Sequence, residues 1–72
     1  MMDKRKKFYE YCEAYDQTGC TEYRNEAIRL YCVLTGKTLT IDAFNDCYLE
    51  LMYENQLSGE TPFQSFVRAV NL

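Results

Sequence analysis

One junction recurs three times along the chain, and it constrains the fold more than any other feature. Thr18-Gly19 is followed by Thr21, Thr35-Gly36 by Thr40, and Ser58-Gly59 by Thr61. A glycine just past a helix takes the left-handed conformation without a Cβ penalty and so closes the helix. A threonine hydroxyl accepts a hydrogen bond from a free amide of the next helix and so opens it. Each junction therefore predicts a stop, a short turn and a new start. Three of them divide the 72 residues into four segments.

Each segment carries helical rather than strand periodicity. Helix 1 is predicted over about 3–16, with Phe8, Tyr11, Cys12 and Tyr15 on one face. Helix 2, over about 22–34, buries Tyr23, Ala27, Leu30, Tyr31 and Leu34. Its end, Leu30 to Leu34, is apolar all round, which predicts deep burial there. Helix 3, over about 41–57, places Ile41, Phe44, Tyr48, Leu51 and Met52 on one side. Helix 4, over about 62–70, has the clearest start: Thr61-Pro62-Phe63-Gln64 gives a cap, a first-turn proline and a reciprocal capping-box glutamine. Phe63, Phe66, Val67 and Val70 form its buried face. No segment alternates with period two over a strand's length. The expectation is an all-α, single-domain chain, 1–72, folded as a compact bundle of four short helices.

The glycine at the second junction also ends a tempting motif. Gly36-Lys37-Thr38 resembles the close of a phosphate-binding loop, but such a loop needs a glycine five positions earlier, where Tyr31 stands. It also needs a preceding strand. Leu39 and Phe44 instead fall at the two positions of a hydrophobic staple around Thr40 as N-cap. Asp42 suits the positive end of that helix.

Other chemistry is thinly supported. The chain has no histidine, the commonest general base. Cys12, Cys20, Cys32 and Cys47 form no close pair of the kind zinc sites use. Cys12, Cys32 and Cys47 are expected to act as small core residues, with Cys20 accessible in a turn. These points predict a non-enzyme with no cofactor and no metal. The longest apolar run, Leu30 to Leu34, is far short of a membrane span, which needs ~20 residues. The basic start Lys4-Arg5-Lys6-Lys7 leads into a polar mix rather than an apolar stretch, so a cytoplasmic location is expected. A DNA-reading helix-turn-helix would place helix 3 in the groove. That helix carries four acids and no Lys or Arg, which disfavours direct nucleic-acid binding.

Charge distribution is the informative feature. Residues 38–67 hold five acids and no basic residue, and beyond Lys7 there are four basic and ten acidic residues. Asp42, Asp46, Glu50 and Glu54 stand four apart and so form a ridge along helix 3. Like charges at this spacing cost a few tenths of a kcal/mol each. Leu49, Tyr53 and Leu57, also four apart, lie on the same side, opposite Phe44 and Leu51. One explanation is that helix 1 or helix 4 covers these apolar residues, or that Lys4 to Lys7, Arg24 or Arg29 neutralise the ridge. The other is a docking surface made of Asp42, Asp46, Leu49, Glu50, Tyr53, Glu54 and Leu57. It would suit the basic groove of a nucleic-acid-handling protein, as a nucleic-acid mimic of the phage or plasmid type would. The alternatives are a small DNA-associated regulator using the basic N-terminal helix, and a structural homodimer that gains core by self-association.

Overall fold

The computed structural model describes residues 3–53 and 59–70, without the side chains of 52 and 53. Four helices follow one another: α1 (Lys4–Thr18), α2 (Thr21–Thr35), α3 (Ile41–Tyr53) and α4 (Pro62–Val70). The described residues contain no strand. The all-α bundle follows from the junctions, because all three glycines take positive φ: 71° at Gly19, 73° at Gly36 and 87° at Gly59.

The first two junctions are built alike, with the threonine before each glycine doing two jobs. Thr18 Oγ1 donates to the Ala14 carbonyl at 2.8 Å and accepts from the Cys20 amide at 3.2 Å. Thr35 Oγ1 repeats this with the Tyr31 carbonyl and the Lys37 amide, at the same 2.8 and 3.2 Å. Gly19 N–H then closes onto the Tyr15 carbonyl at 2.8 Å, and Gly36 N–H onto the Cys32 carbonyl at 2.9 Å. These bonds satisfy orphan carbonyls at each helix end. They also correct one expectation. Thr21 is not a cap but the first residue of α2, and Cys20 holds the cap position without a side-chain hydrogen bond. The helix starts one residue earlier than a Thr21 cap would allow: the Cys20 carbonyl accepts from the Tyr23 amide at 3.1 Å, and Thr21 is already helical.

Helices 3 and 4 begin as the sequence predicts. Thr40 Oγ1 accepts from the Ala43 amide at 3.1 Å. Thr61 and Gln64 exchange bonds reciprocally: Gln64 N–H to Thr61 Oγ1 at 3.2 Å, and Thr61 N–H to Gln64 Oε1 at 3.0 Å. Leu39 and Phe44, flanking the Thr40 cap, both join the core.

Helices α1 and α2, joined by two residues, pack as an αα-hairpin; α4 packs on both α3 and α1. Phe66 is the centre. Its ring meets Phe8 of α1 at 4.8 Å, Tyr31 of α2 at 5.7 Å and Phe44 of α3 at 5.7 Å. Phe8 and Phe63 add an edge-on contact at 5.3 Å, and the Arg5 guanidinium lies over the Phe63 ring at 6.0 Å. Edge-on and offset aromatic pairs contribute beyond their buried area. Ser65 is buried as well, its hydroxyl donating to Glu60 Oε1 at 3.3 Å while Glu60 also pairs with Arg68 at 3.2 Å.

Four apolar residues depart from the predicted core. Val33 is 57% exposed, so the end of α2 is not buried all round. Val33 lines an open groove beside Lys4, Lys7 and Tyr11 of α1, and no described helix closes over it. Ile41 is 47% exposed, because the buried stripe of α3 runs through Phe44 and Cys47 and turns away from the first residue. Tyr23 lies at the surface, its ring 6.1 Å from Tyr11. Cys32 is half-buried. The predicted end of helix 3 beyond 53, and the Met52 side chain, lie outside the described residues.

Candidate functional site

The acidic face of α3 is held outward by the aromatic contacts on its inner face. Phe44 stacks on Tyr48 with centroids 5.4 Å apart, and Tyr15 of α1 sits 5.3 Å from Tyr48 and 6.1 Å from Phe44. This cluster, with Phe66 behind it, fixes the rotation of α3 about its axis. At 3.6 residues per turn, Asp42, Asp46 and Leu49 then lie opposite Phe44 and Leu51, with Glu50 at the edge of the same surface. All four are exposed, Leu49 to 47%. The Tyr53 side chain, Glu54 and Leu57, the remaining residues expected in this surface, lie outside the described residues.

Neither covering nor neutralisation accounts for the described part of the ridge. Among the described residues, no helix covers Leu49. The ion pairs among the described residues are Lys7 with Glu10 at 3.8 Å, Arg29 with Glu26 at 2.6 Å, and Arg68 with Glu60. None of them involves Asp42, Asp46 or Glu50. Arg24, the other proposed neutraliser, bonds to Asn25 Oδ1 at 3.2 Å.

The field of these carboxylates is felt inside the protein. Burial pushes the Cys47 thiol above its usual range, and the charges of Glu50 and Asp46 push it further in the same direction. A thiolate there would face two anions, Asp46 next to it in the chain and Glu50 about one turn on. Cys12, enclosed between the helices, is pushed up to about 12 by burial alone. Thiols react as thiolates, so both environments work against a cysteine nucleophile. Tyr48 is raised by burial, then by Tyr15 and Asp16. Among the described residues no group of His, Cys, Asp or Glu side chains is placed to hold a metal ion. No helix among them is long and apolar enough to cross a membrane.

A second surface, which the sequence shows only as the basic N-terminal helix, lies between α1 and α2. Lys4, Lys7, Tyr11, Arg29, Leu30 and Val33 line an open groove of 360 Å³. The sequence contained a signal for it: Val33 falls outside the α2 stripe, on the side that also carries Arg29. No protein-family model, curated protein or solved structure matches the chain.

Proposed function

We propose that the protein is a non-enzymatic binding module that docks the outer face of α3 on a basic protein surface, with nucleic-acid-binding grooves as the favoured class. The observation that carries this reading is Leu49. It stands nearly half exposed, flanked by Asp42, Asp46 and Glu50, which join no ion pair among the described residues. A solvated rim gains nothing from an exposed aliphatic residue beside its charges. A docking face does, because charge selects and steers the partner while apolar burial holds it.

The spacing supports mimicry of a phosphate strand. Carboxylates four residues apart rise ~6 Å per step, so Asp42 to Glu50 span ~12 Å. A nucleic-acid strand places a phosphate every ~3.4 Å of helix axis, or about three to four over that length. The carboxylates thus carry about half the linear charge of one strand.

The test has two stages. Immobilised wild type and an Asp46→Lys/Glu50→Lys variant are each exposed to lysate, and the proteins held by wild type alone are identified. Duplex DNA is then titrated against the purified complex. The expected result is a basic protein that the variant does not hold and that DNA displaces. If the folded variant captures the same protein as wild type, the acidic face is not the docking surface.

A further inference from the structure

The groove between α1 and α2 complements the outer face of α3 in the same chain. We infer that a second copy of the protein docks its α3 face into this groove, so that the chain self-associates head to tail. The inference rests in part on the proposed reading of α3, for which it names a further partner.

Three observations carry it. The first is chemistry. The groove has an aliphatic floor, Leu30 and the 57% exposed Val33, between the cations Lys4, Lys7 and Arg29. The α3 face sets one exposed aliphatic residue, Leu49, beside the anions Asp42, Asp46 and Glu50. Apolar groups meet apolar groups and opposite charges meet at the rim, the pattern by which an amphipathic helix enters a groove. The aliphatic floor also favours a protein occupant over a phosphate backbone, which has no apolar counterpart for Val33.

The second is length. Lys4 to Tyr11 on α1 covers seven residue steps, as does Asp42 to Leu49 on α3, and seven steps rise ~10 Å. A single helix face therefore fits the groove end to end.

The third is cost. The first turn of α1, Lys4 to Lys7, is entirely basic, with four cations set against the single carboxylate of the Asp3 cap, which accepts from the Arg5 amide at 2.9 Å. Cations at a helix N-terminus oppose the macrodipole. The acids of α3 repel one another along their ridge. Each cluster is unfavourable within the monomer, and each is neutralised by the other across the interface. The contacts of Lys7 with Glu10 and Arg29 with Glu26 are exposed pairs, which exchange for intermolecular ones at little cost.

The two surfaces differ, so the interface is heterologous: a pair leaves the groove of one copy and the acidic face of the other unused, and assembly continues beyond two. This gives a discriminating experiment. Sedimentation is measured for wild type, for Asp46→Lys/Glu50→Lys and for Lys4→Glu/Lys7→Glu, alone and mixed. Wild type is expected to grow in mass with concentration and to shrink as salt rises. Each variant alone is expected to be monomeric. The two variants together retain one intact groove and one intact acidic face, and are expected to form a 1:1 dimer that grows no further. Val33→Asp serves as a second groove variant. Its site is exposed, and it too should be monomeric alone and should pair with the acid-reversed variant.

Wild type that stays monomeric up to roughly 1 mM, the weak end of specific association, overturns the inference. So does a mixture of variants that remains monomeric, including the case of wild type forming a closed symmetric dimer. Neither result touches the docking of α3 on a different basic protein, since the groove variants keep that face intact and can be assayed for capture separately.

Discussion

At the scale of single residues, the molecule depends most on Phe66, the ring that meets one aromatic from each other helix. Truncating a buried phenylalanine costs about 3–5 kcal/mol. A 72-residue chain has roughly 4–11 kcal/mol of stability to lose. Phe66→Ala is therefore expected to remove a large part of it, seen as a lower urea midpoint with little change in slope. A midpoint like that of an exposed-site variant would mean the core is centred elsewhere. The cysteines give a second expectation. Cys12 has its ordinary value of 9.0 raised to about 12 by burial. A proton acid with a raised folded value is favoured in its protonated state by folding, so its contribution is complete below pH 9 and is lost as pH rises towards 12. Stability should fall across that window, and less steeply in Cys12→Ala. Thiol labelling under native conditions should follow the same physics: Cys20 first, Cys32 next, and Cys47 and Cys12 only on unfolding. Fast labelling of Cys12 would contradict its enclosure. The residue types already indicated that Cys12 and Cys47 pack inward. They could not indicate that Cys32, one position beyond Tyr31 on α2, lies only half-buried, because burial at a helix edge is set by which neighbour covers it.

At the scale of elements, the capping chemistry was legible and some of its partners were not. Thr61 and Gln64 form the reciprocal box their spacing predicts, and Thr40 caps α3. Thr21 looks equivalent in sequence and is not, because α2 starts at Thr21 itself, with the Cys20 carbonyl accepting from the Tyr23 amide. Substitution should separate these cases. Thr61→Ala is expected to cost about 1 kcal/mol. For a chain of this size that lowers the melting temperature by roughly 4–8 °C. Thr21→Ala is expected to stay within about 0.5 kcal/mol of wild type. Equal effects at the two sites would show that one of these helices starts elsewhere. The stripes were legible for the same reason the caps were: they depend on neighbours three and four positions away. Val33 and Ile41 were assigned inward because both are aliphatic and sit at the apolar ends of helices. Their exposure follows from the arrangement of helices, which leaves the outer side of α2 and the start of α3 without a layer above them. Ser65 was overlooked in the opposite sense, since its burial depends on Glu60 lying across from it and on Arg68 eight residues further on.

At the scale of the whole molecule, charge is segregated, and this makes opposite demands on stability and on binding. Sequence spacing alone placed Asp42, Asp46, Leu49 and Glu50 on one surface of α3, and the aromatic cluster around Phe44 holds them there. What the spacing could not decide was whether anything lay over them, a question about the positions of other helices. Because the carboxylates stand ~6 Å apart along the helix, their mutual repulsion acts within one short range. Raising salt from roughly 0.01 M to 1 M shrinks the screening length from ~30 Å to ~3 Å, below that spacing. The ridge should then repel itself less, and the free protein should melt at a higher temperature. The exposed pairs Lys7 with Glu10 and Arg29 with Glu26 weaken at the same time, but such pairs contribute little. Binding through the same face should respond in the opposite direction, weakening as its attraction to a basic surface is screened. In Asp46→Lys/Glu50→Lys the net charge moves from −3 to +1, each replacement adding two. The step from 42 to 46 becomes attractive while that from 46 to 50 stays repulsive, now between two lysines, so the salt response of melting should shrink and binding should be lost. Leu49→Ala, with no charge changed, should leave both salt slopes intact while weakening binding by about 1 kcal/mol or more if the side chain is buried in the complex. The measurement is a pair of salt series, melting of the free protein and titration of the complex, on wild type and both variants. Parallel salt responses of stability and binding in wild type would mean that the carboxylates of α3 are not the groups that meet the partner.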